Sequence, residues 1–244
     1  MRALIKAGRN ALRRAGFDIV RHYHVPSRTL LGLTHFPIRT VIDVGANIGQ
    51  STLQYLALFP EATVHAFEPL PDVFCELQRA VKPYAERVCA YNVALGAVEA
   101  TSEMFRHCDH NASSSLLATT DRTAALYPQV KSQARVHVQQ RRLDAVLEAI
   151  TLQQGIFIKI DAQGYEKHVL SGGIQVLERS SACLIEVAVQ ELYEGQASFH
   201  ELVELFWGLE FVFAGTLEQH YDERGRVVYF DAMFVKKQWA GEKA

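Results

Sequence analysis

From Thr40 onward the chain alternates short β-branched runs with longer segments of helical period, and this alternation restricts the fold more than any other feature. Runs such as TVIDVG, TVHAFE and CLIEVA predict buried strands, and the segments between them predict helices. Strands that alternate with helices favour a largely parallel sheet with helices on both faces. The last two predicted strands, around 211–214 and 227–235, are joined by a loop with DERGR and no helix, so they should pair antiparallel.

The chain of 244 residues, 49% of them hydrophobic, is long enough for one sizeable core. We predict one domain, residues 39–244, preceded by a basic helical extension, residues 1–38. A basic amphipathic helix either packs on its own domain or lies on an anionic membrane surface, so peripheral membrane contact stays open. In the extension, apolar residues at helical spacing are interspersed with basic ones: Leu4, Ile5, Leu12 and Ala15 among Lys6, Arg9, Arg13 and Arg14.

Charge and cysteine usage narrow the classes of partner and compartment. A net charge of -2 does not favour a nucleic-acid partner, because nucleic-acid-binding proteins carry an excess of positive charge. No apolar stretch reaches the roughly 18 residues that a transmembrane helix needs, and the N-terminus lacks the apolar core of a secretory signal. The four cysteines lack C-x-x-C spacing, and Cys89 and Cys183 lie in strand-like runs where we expect burial. We therefore predict a cytoplasmic protein with reduced thiols, and the sequence leaves its oligomeric state open.

The turn after the first predicted strand, within TVIDVGANIGQST from Thr40 to Thr52, is the first candidate ligand site. In doubly wound sheets, ligands bind beyond the carboxyl ends of the strands, and the turn after the first strand is the usual contact. Gly45 and Gly49 permit positive φ and a close approach of a ligand to the backbone. No lysine follows these glycines as in a P-loop, and D-x-G-x-x-x-G is not the G-x-G-x-x-G that dinucleotides prefer.

Glu68, at the end of the second predicted strand, indicates which ligand the turn holds. An acidic side chain there can accept hydrogen bonds from both hydroxyls of a ribose. Alone, Glu68 could equally be a strand-end charge, but together with Asp43, Gly45 and Gly49 it predicts a nucleoside site. A ribose without a required pyrophosphate suggests S-adenosylmethionine.

Four segments, VIDVGANIGQST, AFEPLPDVF, NVALG and IKIDAQGYEKHVLSGG, together resemble the FkbM family of S-adenosylmethionine-dependent methyltransferases. The resemblance covers about residues 40–235, and its most specific part is K-I-D-x-x-G-x-E from Lys159 to Glu166. It implies a class I methyltransferase fold, which is Rossmann-like, with a mostly parallel seven-stranded sheet, an antiparallel last strand and helices on both faces. It also implies O-methylation of a hydroxyl on a sugar, glycan or polyketide-like metabolite.

The family pattern also assigns positions in this sequence to parts of the cofactor. The turn residues would surround its methionine portion, Glu68 would hold the ribose, and Asn92 would lie near the adenine edge, where an amide can both donate and accept. Asn92 could equally end its strand for turn reasons alone. Ser114 and Ser115 resemble a serine pair common in the family, although a solvated loop explains them equally well. The full predicted cofactor-binding set is Asp43, Gly45, Asn47, Gly49, Glu68, Pro69, Asn92, Ala94 and Asp161.

Methyl transfer to an aliphatic hydroxyl needs alignment and a base, and three carboxylates are predicted catalytic candidates. Asp161 ends the fourth predicted strand, beside the first, and is the leading candidate for the base, although it could instead cap the following helix. Glu166 falls in the first turn of that helix, where a structural role is preferred. Glu186, inside CLIEVA, should carry a raised pKa unless it is paired. Lys159 could pair with a carboxylate, and Glu186 is one candidate partner.

Three further interpretations remain open. His107 and His110 in the loop HCDH are alternative bases, but we predict no metal site, because adjacent loop residues point apart and magnesium prefers oxygen ligands. A nicotinamide-dependent oxidoreductase is disfavoured by the glycine spacing and by the lack of an obvious Tyr-x-x-x-Lys pair. A non-catalytic binding module on the cofactor fold is disfavoured because the predicted acidic residues are all present. The acceptor should be selected by residues 96–140 and by the loops around Tyr193 and 219–226, with Tyr193, Tyr221 and Trp207 as candidate stacking surfaces for a sugar or ring.

Overall fold

The computed structural model describes Arg14 and residues 29–239; apart from Arg14, which is exposed, the predicted N-terminal helix lies outside the described residues. The strands are β1 (Thr40–Val44), β2 (Thr63–Phe67), β3 (Val88–Tyr91), β4 (Ala94–Leu95), β5 (Ala100–His107), β6 (Gln133–Arg141), β7 (Ile156–Ile160), β8 (Ala182–Ala188), β9 (Phe211–Tyr221) and β10 (Val227–Lys236). The helices are α1 (Gln50–Leu58), α2 (Pro71–Val81), α3 (Asp121–Leu126), α4 (Leu143–Leu147), α5 (Glu166–Ser171), α6 (Ile174–Arg179) and α7 (Phe199–Gly208).

Seven strands form the central sheet in the order β3-β2-β1-β7-β8-β10-β9. Strands β3, β2, β1, β7 and β8 run parallel, and β10 pairs antiparallel with both β8 and β9. The predicted mostly parallel sheet with an antiparallel last strand is therefore confirmed. The expected neighbourhood of the first and fourth predicted strands is also confirmed, since Val44 pairs with Ile160.

Both faces of the sheet are buried, which explains why its parallel strands are apolar at nearly every position. Alternate residues point to opposite faces: Ile42 and Ile158 pack into one cluster with α4 to α7, whereas Val41 and Phe157 pack into the other with α1 and α2. Helices therefore cover both faces, as predicted. Cys183 is buried as expected, but Cys89 is exposed, because β3 is an edge strand.

The part of the chain that connects β3 to β7 forms a smaller sheet, with strand order β4-β6-β5. Within it, β5 pairs antiparallel with β6 from Ala100 opposite Gln140 to His107 opposite Gln133. The serine-rich loop after β5 returns against this sheet through a bridge between Phe105 and Ser115. This segment therefore forms an ordered layer that reaches the carboxyl end of the main sheet.

Local signals in the sequence fix several element ends. Ser198 caps α7 and forms a capping box with Glu201, and Pro71 opens α2 in its first turn.

Before β1, Leu30, Leu33 and Ile38 are buried in the same cluster as α1. Among residues 29–239, no helix is long and apolar enough to cross a membrane.

Candidate active site

A cavity of about 300 Å³ opens at the carboxyl ends of β1, β2 and β7, the edge where ligands bind in sheets of this type. The predicted cofactor-binding residues that line it are Gly45, Asn47, Glu68, Pro69, Ala94 and Asp161. Asp43, Gly49, Asn92, Glu166 and Glu186 are not part of its lining. The loop after β5 also lines the cavity with Asn111, Ala112, Ser114 and Leu116, which the sequence did not place with the cofactor.

The turn after β1 needs its glycines because of the protein around it. Gly45 has φ of +74°, and a Cβ on it would lie 2.0 Å from the carbonyl oxygen of Asp161. Gly49 has φ of +99°, and a Cβ there would lie 3.1 Å from Leu77 Cδ1. The positive φ values are confirmed, but a side chain at either position would meet protein atoms. These glycines therefore allow the end of β7 and helix α2 to approach the turn, and the predicted close approach of a ligand to their backbone stays a prediction.

Asp43 is fully buried behind this turn. Its Oδ2 atom accepts hydrogen bonds from the hydroxyls of Ser51 at 2.7 Å and Thr52 at 2.6 Å, and its Oδ1 atom lies 3.8 Å from Lys159 Nζ. These bonds tie the end of β1 to the first turn of α1. Asp43 thus supports the turn that lines the cavity from a position outside the cavity.

Glu68 is buried at the end of β2 and faces the cavity. Its Oε2 atom accepts from the backbone N–H of Asn47 at 3.1 Å, and Oε1 accepts from that of Leu70 at 2.9 Å. Burial raises the pKa of Glu68 to about 7, although both backbone bonds oppose the increase. Because each carboxylate oxygen can accept two hydrogen bonds, each keeps capacity for one ligand hydroxyl.

Asn92 lies just after β3 and is tied to the neighbouring loop. Its Nδ2 atom donates to the carbonyl oxygens of Glu68 at 2.9 Å and Pro69 at 3.0 Å. The amide nitrogen therefore fixes the backbone that carries Glu68, which favours the turn-related interpretation of Asn92 over an adenine contact.

Asp161 follows β7 and shares the cavity wall with Lys159. Lys159 Nζ lies 3.3 Å from Asp161 Oδ2 and donates to the carbonyl oxygen of Gly45 at 3.2 Å. Burial lowers the pKa of this ammonium, but the carboxylates of Asp161 and Asp43 outweigh burial and raise it above its ordinary value. The suggested pairing of Lys159 with Glu186 is wrong, because its partners within ion-pair distance are Asp161 and Asp43.

Glu166 is buried in the first turn of α5 and has a structural environment. Its Oε1 atom accepts from the backbone N–H groups of Ala162 at 2.9 Å and Gly164 at 3.1 Å. Burial and the nearby charge of Asp161 raise the pKa of Glu166 to about 7. Glu166 therefore shapes the loop that follows Asp161, in agreement with the structural role that its helix position favoured.

Glu186 on β8 has a pKa well above its ordinary value, as expected, because of burial and then the charges of Asp161, Glu166 and Asp231. Asp231 lies opposite it on β10, and burial raises the pKa of Asp231 to about 7. Asp231 was not among the predicted site residues, although it is the lone charge within the apolar run VVYFDAMFV, the same signal that singled out Glu186. These carboxyls form a polar patch beside Asp161 on the same face of the sheet.

The histidines of the loop HCDH lie outside the cavity lining. His107 is buried with Nδ1 2.7 Å from the carbonyl oxygen of Val130, and burial lowers its pKa. His110 is exposed and its Nδ1 lies 2.8 Å from Ser113 Oγ. Within residues 29–239 no group of three or more His, Cys, Asp or Glu side chains could hold a metal ion.

The strand order, the antiparallel β10 and the cavity beyond the first turn are the arrangement of a class I methyltransferase. The family model "Methyltransferase FkbM domain" matches residues 43–213, and the chain belongs to this family. It is therefore a methyltransferase, and the methyl donor of the family is S-adenosylmethionine. Family membership sets aside the oxidoreductase and the non-catalytic module.

Curated relatives agree with this assignment. The chain is 27% identical over 190 residues to 2-O-methyltransferase NoeI from Sinorhizobium fredii, covering 76% of this chain and 78% of the relative. It is 31% identical over 209 residues to 31-O-demethyl-FK506 methyltransferase FkbM from Streptomyces tacrolimicus, covering 74% of this chain and 78% of the relative. It is 28% identical over 169 residues to Methyltransferase 1 from Beauveria bassiana, covering 65% of this chain and 66% of the relative.

Proposed function

We propose that this protein is an O-methyltransferase that transfers the methyl group of S-adenosylmethionine to a hydroxyl of a sugar, glycan or polyketide-like metabolite. The names of two relatives, a 2-O-methyltransferase and a 31-O-demethyl-FK506 methyltransferase, support oxygen as the accepting atom. The observation that carries the proposal is the Asp161 carboxylate in the cavity wall, directly beside the turn that Gly45 forms.

The lining of the cavity fits the methyl donor. Glu68 keeps hydrogen-bonding capacity on both carboxylate oxygens and suits the two hydroxyls of a ribose. The turn at Gly45 and Asn47 would lie along the methionine portion, and the apolar side chains of Met104 and Leu116 would contact the adenine ring. When bound, the donor supplies an electrophilic methyl group on a sulfonium, and its thioether leaves without assistance.

Asp161 is the group we assign as general base. A hydroxyl attacks poorly until a base removes its proton during the reaction, and a positioned carboxylate can accept that proton. Lys159 holds one oxygen of Asp161 at 3.3 Å, and the carbonyl oxygen of Gly45 holds the same ammonium at 3.2 Å. These contacts fix the base relative to the turn. In this assignment Glu166 and Glu186 support the base without touching the acceptor.

Two broader assignments belong to the same proposal. Residues 1–38 are proposed as a basic helical extension, with peripheral membrane contact as one possible use, and residues 39–244 as the methyltransferase domain. For the compartment we propose the cytosol, which the four free cysteines favour.

Transfer of a radiolabelled methyl group from S-adenosylmethionine tests the proposal. The enzyme is incubated with a panel of deoxysugar glycosides, oligosaccharides and macrolide alcohols, alongside matched compounds in which the hydroxyls are replaced by hydrogen, by amino groups or by thiols. We expect label in at least one hydroxyl compound and none in its deoxygenated match. Label that appears instead on amine or thiol acceptors, with none on any hydroxyl, would contradict O-methylation.

A further inference from the structure

The loop between β7 and α5 contains a glutamine whose role the mechanism above leaves open. Gln163 lines the cavity and has φ of +54°, a backbone conformation that is unfavourable for a residue with a side chain. Its carbonyl oxygen accepts a hydrogen bond from Ser115 Oγ at 2.6 Å, so the loop after β5 holds it there. Strained residues that the surrounding structure fixes in place occur most often at functional sites.

The side chain of Gln163 joins Asp161 to Tyr193. Its Nε2 atom donates to Asp161 Oδ1 at 2.6 Å and lies 3.3 Å from Glu186 Oε1. The hydroxyl of Tyr193 has two acceptors within reach, Gln163 Oε1 at 2.6 Å and the carbonyl oxygen of Ser113 at 3.0 Å, and Gln163 Oε1 is the nearer one. Gly164 permits this arrangement, because a Cβ on it would lie 2.8 Å from Tyr193 Cβ.

The chemistry of the neighbours determines which end of the amide faces Asp161. Asp161, which also pairs with Lys159, lies on one side of Gln163 with its Oδ1 atom 2.6 Å from the amide, and a carboxylate oxygen only accepts hydrogen bonds, so the nitrogen belongs on that side. On the other side is a phenol whose pKa burial raises well above its ordinary value, so Tyr193 keeps its proton and donates it. If the amide rotated by 180°, its oxygen would face Asp161 Oδ1, and two acceptors would repel each other.

We propose that Gln163 is a positioning residue for Asp161, and that the Tyr193 hydroxyl orients the Gln163 amide so that its nitrogen faces the carboxylate. Lys159 then holds one carboxylate oxygen through its ammonium, and Gln163 holds the other through its amide. The carboxylate is thereby fixed at both oxygens while its exposed edge faces the cavity. The catalytic part of this inference rests on the proposed role of Asp161 as base, whereas the hydrogen-bonded arrangement itself does not.

Nuclear magnetic resonance on protein labelled with 15N-glutamine, in complex with S-adenosylhomocysteine, tests the arrangement without any acceptor. The side-chain amide signals of Gln163 are assigned by their loss in Gln163→Glu. We expect a downfield proton in the wild type that moves upfield both in Asp161→Asn and in Tyr193→Phe. Tyr127→Phe is the matched control, since Tyr127 packs in the same apolar cluster as Tyr193, and it should leave the signals unchanged.

Gln163 signals that do not change in Asp161→Asn would overturn the proposal, and this comparison stands even if Tyr193→Phe fails to fold. Kinetics with an acceptor from the transfer assay give the second readout. Tyr193→Phe should lower kcat by about tenfold, the effect of losing one hydrogen bond, and change KM for S-adenosylmethionine less than twofold. An unchanged kcat would refute the positioning role. Failure of the wild type to methylate any hydroxyl would instead refute the proposed function and leave the spectroscopic result intact.

Discussion

Replacement of Glu68 by glutamine tests how the cavity recognises its ligand. In the wild type the carboxylate accepts backbone bonds from Asn47 and Leu70 and keeps one further acceptor site on each oxygen. Glutamine has the same shape but only one acceptor oxygen and no charge. One charge-assisted hydrogen bond to a ribose hydroxyl, worth about 1.5 to 3 kcal/mol, should be lost, so affinity for S-adenosylhomocysteine at pH 8 should fall about tenfold to a hundredfold.

The pKa of Glu68 adds a second, independent signature. Burial raises this pKa to about 7, so the charged form that accepts the hydroxyls predominates above pH 7 and is lost as pH falls below it. About nine-tenths of the carboxyl is ionised at pH 8 and about one-tenth at pH 6. Wild-type affinity should therefore fall by about tenfold between pH 8 and pH 6.

Isothermal titration calorimetry of both proteins at pH 6 and pH 8 measures these effects. Glu68→Gln has no charge to lose and should show a much smaller pH dependence, which also serves as the control for titration of the ligand's own amino group. Equal affinity of wild type and Glu68→Gln at pH 8, or the same pH dependence in both, would refute the assignment of the ribose to Glu68.

Three other substitutions test the remaining parts of the site. Asp161→Asn should keep affinity for S-adenosylhomocysteine within a few fold and lower turnover by about 10² or more, and unchanged turnover would remove Asp161 as the base. Because the pKa of Glu166 is raised to about 7, the folded state holds this proton up to about pH 7, and the free energy of unfolding of the wild type should decrease by about 3 kcal/mol from about pH 4.5 to 7. Urea unfolding of Glu166→Gln should show a flatter pH dependence, and a slope equal to that of the wild type would contradict this. Gly45→Ala should destabilise the fold by more than about 2 kcal/mol beyond the control Gly225→Ala. Both glycines have nearly equal positive φ, but only at Gly45 would the added Cβ meet another atom, the Asp161 carbonyl oxygen at 2.0 Å. Similar urea midpoints for the two variants would contradict the close approach.

Local patterns were sufficient for most of the central sheet. Continuous apolar runs predicted β1, β2 and β8. The strand around 211–214 proved longer, reaching Tyr221. Its extension pairs with β10 through three register shifts, and such pairing depends on the partner strand more than on local periodicity.

The candidate site was predictable where a residue's role follows from its place at the end of a strand. Glu68 and Asp161 could be placed at the cavity because the ends of neighbouring parallel strands meet at one edge of the sheet. Asp43 and Asn92 were placed at the ligand by the family pattern, whereas the structure shows their side chains bonded to protein groups and outside the cavity lining. Which way a strand-end side chain turns depends on partners distant in sequence.

The contribution of the loop after β5 depends entirely on such distant contacts. Ser114 and Ser115 were as compatible with a solvated loop as with a site, yet both are buried. Ser115 bonds to Gln163, 48 residues further along the chain, and Tyr193 bonds to the same glutamine from 30 residues beyond it. Spacing in the sequence does not report on contacts of this kind.

A crystal structure of the protein with S-adenosylhomocysteine tests the central claim most directly. We expect both ribose hydroxyls within hydrogen-bonding distance of the Glu68 carboxylate, with the sulfur between the Gly45 turn and Asp161. A well-ordered ligand bound away from the carboxyl ends of β1 and β2, or a ribose that leaves Glu68 uncontacted, would contradict it.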